Sequence, residues 1–330
     1  MSQTATSETS ISKGENVPAQ PPPPAPGGGN TVSSSPYDTP ARRRLPLLPA
    51  LIFVIVLTQV PFVATLIISF IEWNGLRPEN RNFAGFDNYR EVFSDPDLRA
   101  AVVTTVILTV VVVLVSLLIG FGLALLLNRK FFGRGFLRTL LITPFLIVPV
   151  ASALLWKHLL LNPTTGLING VLTWLGDLLS FAPPQIDLIS SNPLIAVELA
   201  LIWQWTPFMM LILLAGLQSL PGDAMEAAQI DGASGWQTFV HIILPHMRQY
   251  LELGGLLGAI YVVQAFDAVF TITGGAEGAS NLPYAIYQEF FVAQDYGVSS
   301  AMGVITVLGT LVIATFALRT VSTLLKEENR

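Results

Sequence analysis

Apolar residues along this 330-residue chain come in long unbroken runs, not in alternation. Six runs reach the roughly 20 residues a helix needs to cross about 30 Å of hydrocarbon. They cover residues 50–71, 101–127, 137–156, 194–217, 253–272 and 299–318. Helices are the form they must take, because a backbone in lipid has to pair its N–H and C=O groups within its own segment. Pro61, Pro144, Pro149 and Pro207 interrupt the runs, where helix bundles tolerate kinks. The expected fold is all-α and integral to a membrane. Six spans occupy residues 46–325, and a short tail follows at 326–330.

One stretch breaks the pattern. Residues 219–250, between the fourth and fifth runs, read as two short helices with a bend and not as a connector. Pro221-Gly222 predicts a turn. Asp223 is placed to cap a helix, with Glu226 three residues on in capping-box spacing. Gly232 ends or bends that helix. A second helix starts at Ser234 and carries Trp236, Phe239, Val240, Ile243 and Leu244 on one apolar stripe, with Pro245 marking its end. Such a hairpin either transmits force from a partner or rests on lipid, and its pattern alone suits both equally. The first 45 residues are the opposite case. Rich in Ser, Thr, Pro and Gly, they bury too little apolar area to offset their ordering entropy, so a disordered tail is expected there.

Composition sharpens this picture. Apolar residues make up 52% and charged residues 12%, about half the charged share of an ordinary soluble domain. A soluble enzyme is thereby close to excluded. The chain has no cysteine, which removes disulfides, thiolate metal sites and cysteine nucleophiles. A net charge of −5 gives no basic surface for nucleic acid. With the N-terminus placed in the cytoplasm, twelve of the 17 lysines and arginines fall inside and five outside. Both termini are therefore expected on the cytoplasmic side.

At the hairpin the chain resembles the membrane permeases of ATP-binding-cassette importers. Those proteins carry Glu-Ala-Ala, a glycine after three more residues, nine residues, and then Ile-x-Leu-Pro. Here the matching residues are Glu226-Ala227-Ala228, Gly232, Ile242, Leu244 and Pro245. With Asp231-Gly232-Ala233 the signature is similar to the carbohydrate-uptake branch. The stretches Phe83–Phe93, Gly133–Pro149, Trp203–Pro221 and Phe266–Gly275 agree with that branch, in order. The segment NLPYAIYQEFF resembles polyol permeases.

The resemblance implies a type I importer permease fold, with 219–250 as the loop that docks on a cytoplasmic ATPase. Glu226, Ala227, Ala228, Asp231, Gly232 and Pro245 would carry the coupling, Glu226 by pairing with a basic ATPase residue. Implied partners are a second, homologous permease forming a heterodimer, two ATP-binding subunits and an extracytoplasmic solute-binding protein. The location implied is the bacterial inner membrane.

The chain itself has no G-x-x-x-x-G-K-[ST] phosphate loop, so ATP and Mg²⁺ belong to partner subunits and no cofactor is expected here. His158, His241 and His246 show no zinc spacing and read as structural. Gly274-Gly275 reads as a turn at the outer end of the fifth span.

Polar groups within spans are costly and face a cavity or a partner. In the fourth span these are Gln204 with Trp205 beside it, and the resemblance to the permease family adds Phe208. In the fifth they are Tyr261, Gln264 and Asp267, spaced to share one broad helix face. Aromatic faces with amide or carboxylate acceptors suit a neutral sugar or polyol. The expected function is thus half of a translocation pathway for such a solute. The alternatives are a secondary transporter driven by an ion gradient, for which ionic machinery beyond Asp267 is sparse, and a membrane enzyme, for which no paired acids or nucleophile elbow appear.

Overall fold

The computed structural model describes residues 48–327 except Pro78 and Asn80. The first 45 residues, where a tail is expected, lie outside the described residues. The chain divides into two compact units after Leu57, and α1 (Leu48–Ile68) crosses that boundary.

Three described helices are long and apolar enough to cross a membrane: α1, α3 (Pro96–Asn128) and α8 (Pro193–Gln218). A fourth candidate span is a broken pair. Helix α4 (Arg134–Leu146) meets α5 (Pro149–Leu154, continued as a π-helix to Leu160) at an angle of 98°. The third apolar run is therefore not one straight helix. Val148 precedes a proline, which pushes it out of the α region, and both Ile147 and Val148 adopt extended backbone. Pro61, Pro144 and Pro207 lie inside continuous helices, so of the four prolines only Pro149 marks a break.

The fifth run departs further from expectation. Helix α11 starts earlier, at Leu244, and stops at Val262. Residues 263–266 leave the helix before a short turn that ends in the π-helix Val269–Thr273. The early turns of α11 hold His246, Arg248, Gln249 and Glu252, with Arg248 and Glu252 paired at 3.0 Å, so α11 is less apolar than a span of its length. The sixth run lies within α13 (Tyr296–Glu327).

The core is the α3–α8 pair, packed along most of their length, with α11 laid against both. At their closest, Gly120 of α3 faces the Met210 backbone nitrogen so tightly that an added Cβ would stand 2.9 Å from it. Leu108, Val112, Val197, Leu201, Val269 and Ile272 fill the contact. A second cluster joins α2 (Asp87–Ser94), α3, α12 (Leu282–Tyr287) and α13. A two-stranded hairpin, β1 (Ile71–Glu72) and β2 (Asn82–Phe83), is held there by Asn88, whose amide donates to the Ser69 and Ile71 carbonyls.

Candidate functional site

The broken pair α4–α5 and the break after α11 meet α8 around one cavity of about 170 Å³. Gln204 and Trp205 reach it from α8, Pro149 from the break after α4, and Tyr261 from the last turn of α11. Gln264 and Asp267 come from the break after α11. Five of the six predicted pathway residues are therefore brought together. The route differs from the expected one: Tyr261, Gln264 and Asp267 do not share a helix face, because the helix ends before Gln264. The break folds them into the cavity instead. Asp267 is half-buried, not the fully buried acid its position in the fifth run implies.

Two of the amides are already engaged. The Gln204 side chain, 8% exposed, donates to the Ile147 carbonyl at 3.2 Å. That carbonyl sits at the break between α4 and α5, where no helical N–H follows to pair with it. Gln264 donates to the Ile260 carbonyl at 2.9 Å, closing the frayed end of α11. Both amides keep a carbonyl oxygen as acceptor.

Phe208, the sixth predicted residue, lies one turn along α8 and does not line the cavity. It packs with three other rings, of which Trp205 and Tyr261 line the cavity. Phe145 stacks on Phe208 at 5.3 Å, Trp205 meets Phe208 edge-on at 5.8 Å, and Trp205 stacks on Tyr261 at 5.4 Å. Edge-on and offset contacts of this kind add about 0.5–1.5 kcal/mol per pair beyond burial, so the cluster braces Trp205 and Tyr261 in the cavity wall. A larger cleft of about 630 Å³ runs between α3, α4 and α8, lined by Ile119, Leu140, Trp156 and Trp203. Its walls offer hydrocarbon and almost no free polar group, which suits lipid or another helix and not a hydroxylated solute.

The loop after α8 forms the second candidate site. Helix α9 (Gly222–Ile230) begins at Pro221 without a side-chain cap. The expected Asp223–Glu226 capping box is therefore absent: Asp223 is already in the first turn, where its charge favours the helix dipole. The capping box forms one helix later. Ser234 and Gln237 satisfy each other's backbone N–H at the start of α10 (Gly235–Thr238). Between the two, Gly232 has φ +75°, a left-handed conformation open to glycine at little cost. Around it Ala233 N–H donates to the Ala228 carbonyl at 2.9 Å, a Schellman-type closure.

Pro245 does not end the second helix. A π-helix at Phe239–Ile243 carries α10 into α11 without interruption, and Leu244 N–H donates to the Phe239 carbonyl. The widened turn absorbs the proline ring and its missing donor. Glu226, Ala227, Asp231, Gly232 and Pro245 are exposed, and Ala228 is buried. Ile230 at 86% and Trp236 at 73% exposure leave apolar surface uncovered beside them.

Apart from His246, read as structural, sequence reasoning missed the residues that fasten this loop. Ser219 Oγ lies 2.7 Å from the Tyr250 hydroxyl and 3.1 Å from His246 Nε2, and His246 Nε2 lies 3.1 Å from the Gly216 carbonyl. The end of α8 and the start of α11 are thus joined across the hairpin, and Phe239 continues the link to Phe121 of α3. It also missed Lys157, whose ammonium donates to the Thr271 carbonyl at 2.8 Å and ties the π-helix that continues α5 to the one after α11. Its signal in the sequence is a lone lysine at the end of an apolar run. Among the described residues no cluster of His, Asp or Glu is placed to hold a metal ion.

Comparison with known proteins places this architecture. Residues 116–322 match the family model described as binding-protein-dependent transport system inner membrane component. A probable ABC transporter permease of Sinorhizobium fredii is 35% identical over 271 residues, covering 81% of this chain and 85% of the relative. The trehalose/maltose transport system permease MalF of Thermococcus litoralis is 33% identical over 263 residues, covering 79% and 87%. Among solved structures, a bacterial ABC transporter involved in import of the acidic polysaccharide alginate superposes with a TM-score of 0.72. Its identity is 21%, covering 84% of this chain and 93% of that one. The chain belongs to the binding-protein-dependent transport system inner membrane components, the permease subunits of ABC importers.

Proposed function

We propose that this chain forms half of the membrane pathway of a sugar or sugar-alcohol importer. The observation that carries the reading is the convergence of Gln204, Trp205, Tyr261, Gln264 and Asp267 on one cavity between two broken crossings. Rings for the C–H faces of a sugar stand there beside an amide and a carboxylate for its hydroxyls. At about 170 Å³ the cavity is smaller than the roughly 300 Å³ at which ordinary ligand pockets begin, so a second permease supplies the rest. Relatives named for trehalose and maltose transport support the substrate class.

Six crossings follow if α11 with residues 267–273 is the fifth and α13 the sixth, and the lysine and arginine distribution then puts both termini in the cytoplasm. The hairpin at 219–250 docks on an ATPase through exposed Glu226, Ile230 and Trp236, with Gly232 setting the angle between its helices. ATP and Mg²⁺ act in that partner, and a solute-binding protein delivers the solute from outside. Uptake is then a shift between inward- and outward-open populations.

Uptake of labelled sugars and polyols into proteoliposomes holding the complete complex tests this. ATP-dependent uptake of at least one of them is expected. Gly232→Leu and Glu226→Ala should cut uptake while the complex still assembles. Uptake that persists without the ATPase subunits, or full coupling in Gly232→Leu, would overturn the reading.

A further inference from the structure

A line of rings leads away from the cavity. It starts at Phe266, which lines the cavity, and passes to Tyr287 at 5.4 Å, Phe291 at 5.3 Å, Phe290 at 4.9 Å, Tyr296 at 4.9 Å and Trp73 at 5.2 Å. Each step is close to the length of one pyranose ring. Packing alone does not explain the middle of the line, since Phe290 is 40% and Phe291 65% exposed. Exposed rings in a contiguous patch mark a surface that meets a ligand, a partner or a membrane.

The line is also rigidly built. Gly75 N–H donates to the Gln294 carbonyl at 2.7 Å, Tyr296 N–H to the Trp73 carbonyl at 2.9 Å, and the Asn74 amide to Asp295 at 3.2 Å. These bonds clamp the β1–β2 hairpin, with Trp73, onto the segment that holds the other rings. Gln294 is held at φ +55°, a left-handed conformation that is costly for a residue with a side chain. The π-helix Gln288–Val292 places Phe290 and Phe291 in the row and sets Gln288 and Glu289 beside them. Gln288 donates to the Tyr284 hydroxyl and keeps its own carbonyl oxygen as an acceptor, while Asp295, seven residues on, accepts from the Asn74 amide and the Val298 N–H. Gln288 and Glu289 thus stand beside the two exposed rings, an arrangement that fits a hydroxylated ligand better than acyl chains.

We propose that this row is a saccharide track, on which a neutral sugar stacks ring by ring as it passes from the docked binding protein to the cavity. The proposal rests on the sugar-importer reading and adds the route and its residues. Arg81, 4.5 Å over the Trp73 ring, closes the outer end.

The test uses the complete reconstituted importer with maltose and trehalose as probes. Phe291→Leu keeps apolar bulk and removes the aromatic face. Its uptake at saturating loaded binding protein should fall about three- to tenfold, and Phe291→Tyr and Phe291→Trp should restore it. Equal uptake in the leucine variant overturns the track, as does equal loss in all three variants, which would make the position one of packing only. Affinity of the loaded binding protein for the complex is measured alongside. If it falls in step with uptake in Phe291→Leu, the row is a protein-docking face and the track is overturned. Should the native importer move no saccharide, the underlying sugar reading fails first, and that result is distinct from any variant's.

Discussion

Asn281→Ala is the most informative single change to the fold. Asn281 is fully buried. Its amide donates to the Ala265 carbonyl, which the break after α11 leaves without a helical partner, and its Oδ1 accepts from Tyr284 N–H at 3.2 Å as the cap of α12. Losing a cap costs about 0.5–2 kcal/mol. Leaving a buried carbonyl unpaired costs about 1–3 kcal/mol. Together the alanine variant should lose about 2–5 kcal/mol. At about 2–4 °C per kcal/mol for a domain of 150–250 residues, this is a fall of at least several degrees. Thermal unfolding of the purified complex in detergent, followed by loss of its monodisperse peak, reads it. Asn281→Asp separates the two parts, since it keeps the cap acceptor and loses the donor to Ala265. A melting temperature within about 1 °C of the native complex for the alanine variant would refute the claim that this side chain holds the break.

Gly297→Ala should destabilise by about 1–3 kcal/mol, because its Cβ would stand 2.5 Å from the Ile71 carbonyl oxygen. Gly303→Ala, whose nearest new neighbour is 3.7 Å away, should be neutral or better by the same melt. Lys157→Met should loosen the tie between the end of α5 and the segment after α11, read as faster hydrogen exchange over residues 267–273. Stability of the outer segment should also depend on pH. Burial, then the carboxylates of Asp295, Glu91 and Asp95, push the Glu289 carboxyl above the usual carboxylate range, and burial, then Asp295 and Asp95, do the same to Glu91. A raised folded value means the stabilisation is complete below the ordinary carboxylate pKa and is lost as pH rises through the raised one. Exchange over residues 282–300 should therefore quicken from acid to neutral pH, and Glu289→Gln should flatten that slope.

Sequence and structure divide this protein in a consistent way. Run length and charge distribution sufficed for an all-α membrane chain, because the cost of an unpaired backbone in lipid leaves helices as the only option. The signature at Glu226 to Pro245 located the hairpin, and the left-handed φ at Gly232 was legible from the glycine itself. Even the break in the third run was written locally, in the Val148-Pro149 pair. The break in the fifth run was not. Val263, Gln264, Ala265 and Phe266 contain neither glycine nor proline, and their apolar character reads as uninterrupted helix. Only the tertiary structure ends α11 there, by supplying Asn281 to the Ala265 carbonyl and Lys157 to that of Thr271. Such partners come from far along the chain, so no local pattern records them. The same long-range bonds bring Gln264 and Asp267 to the cavity that Gln204 and Trp205 line. The sequence by itself determined which residues were too polar to face lipid; the tertiary structure decided that they face one another.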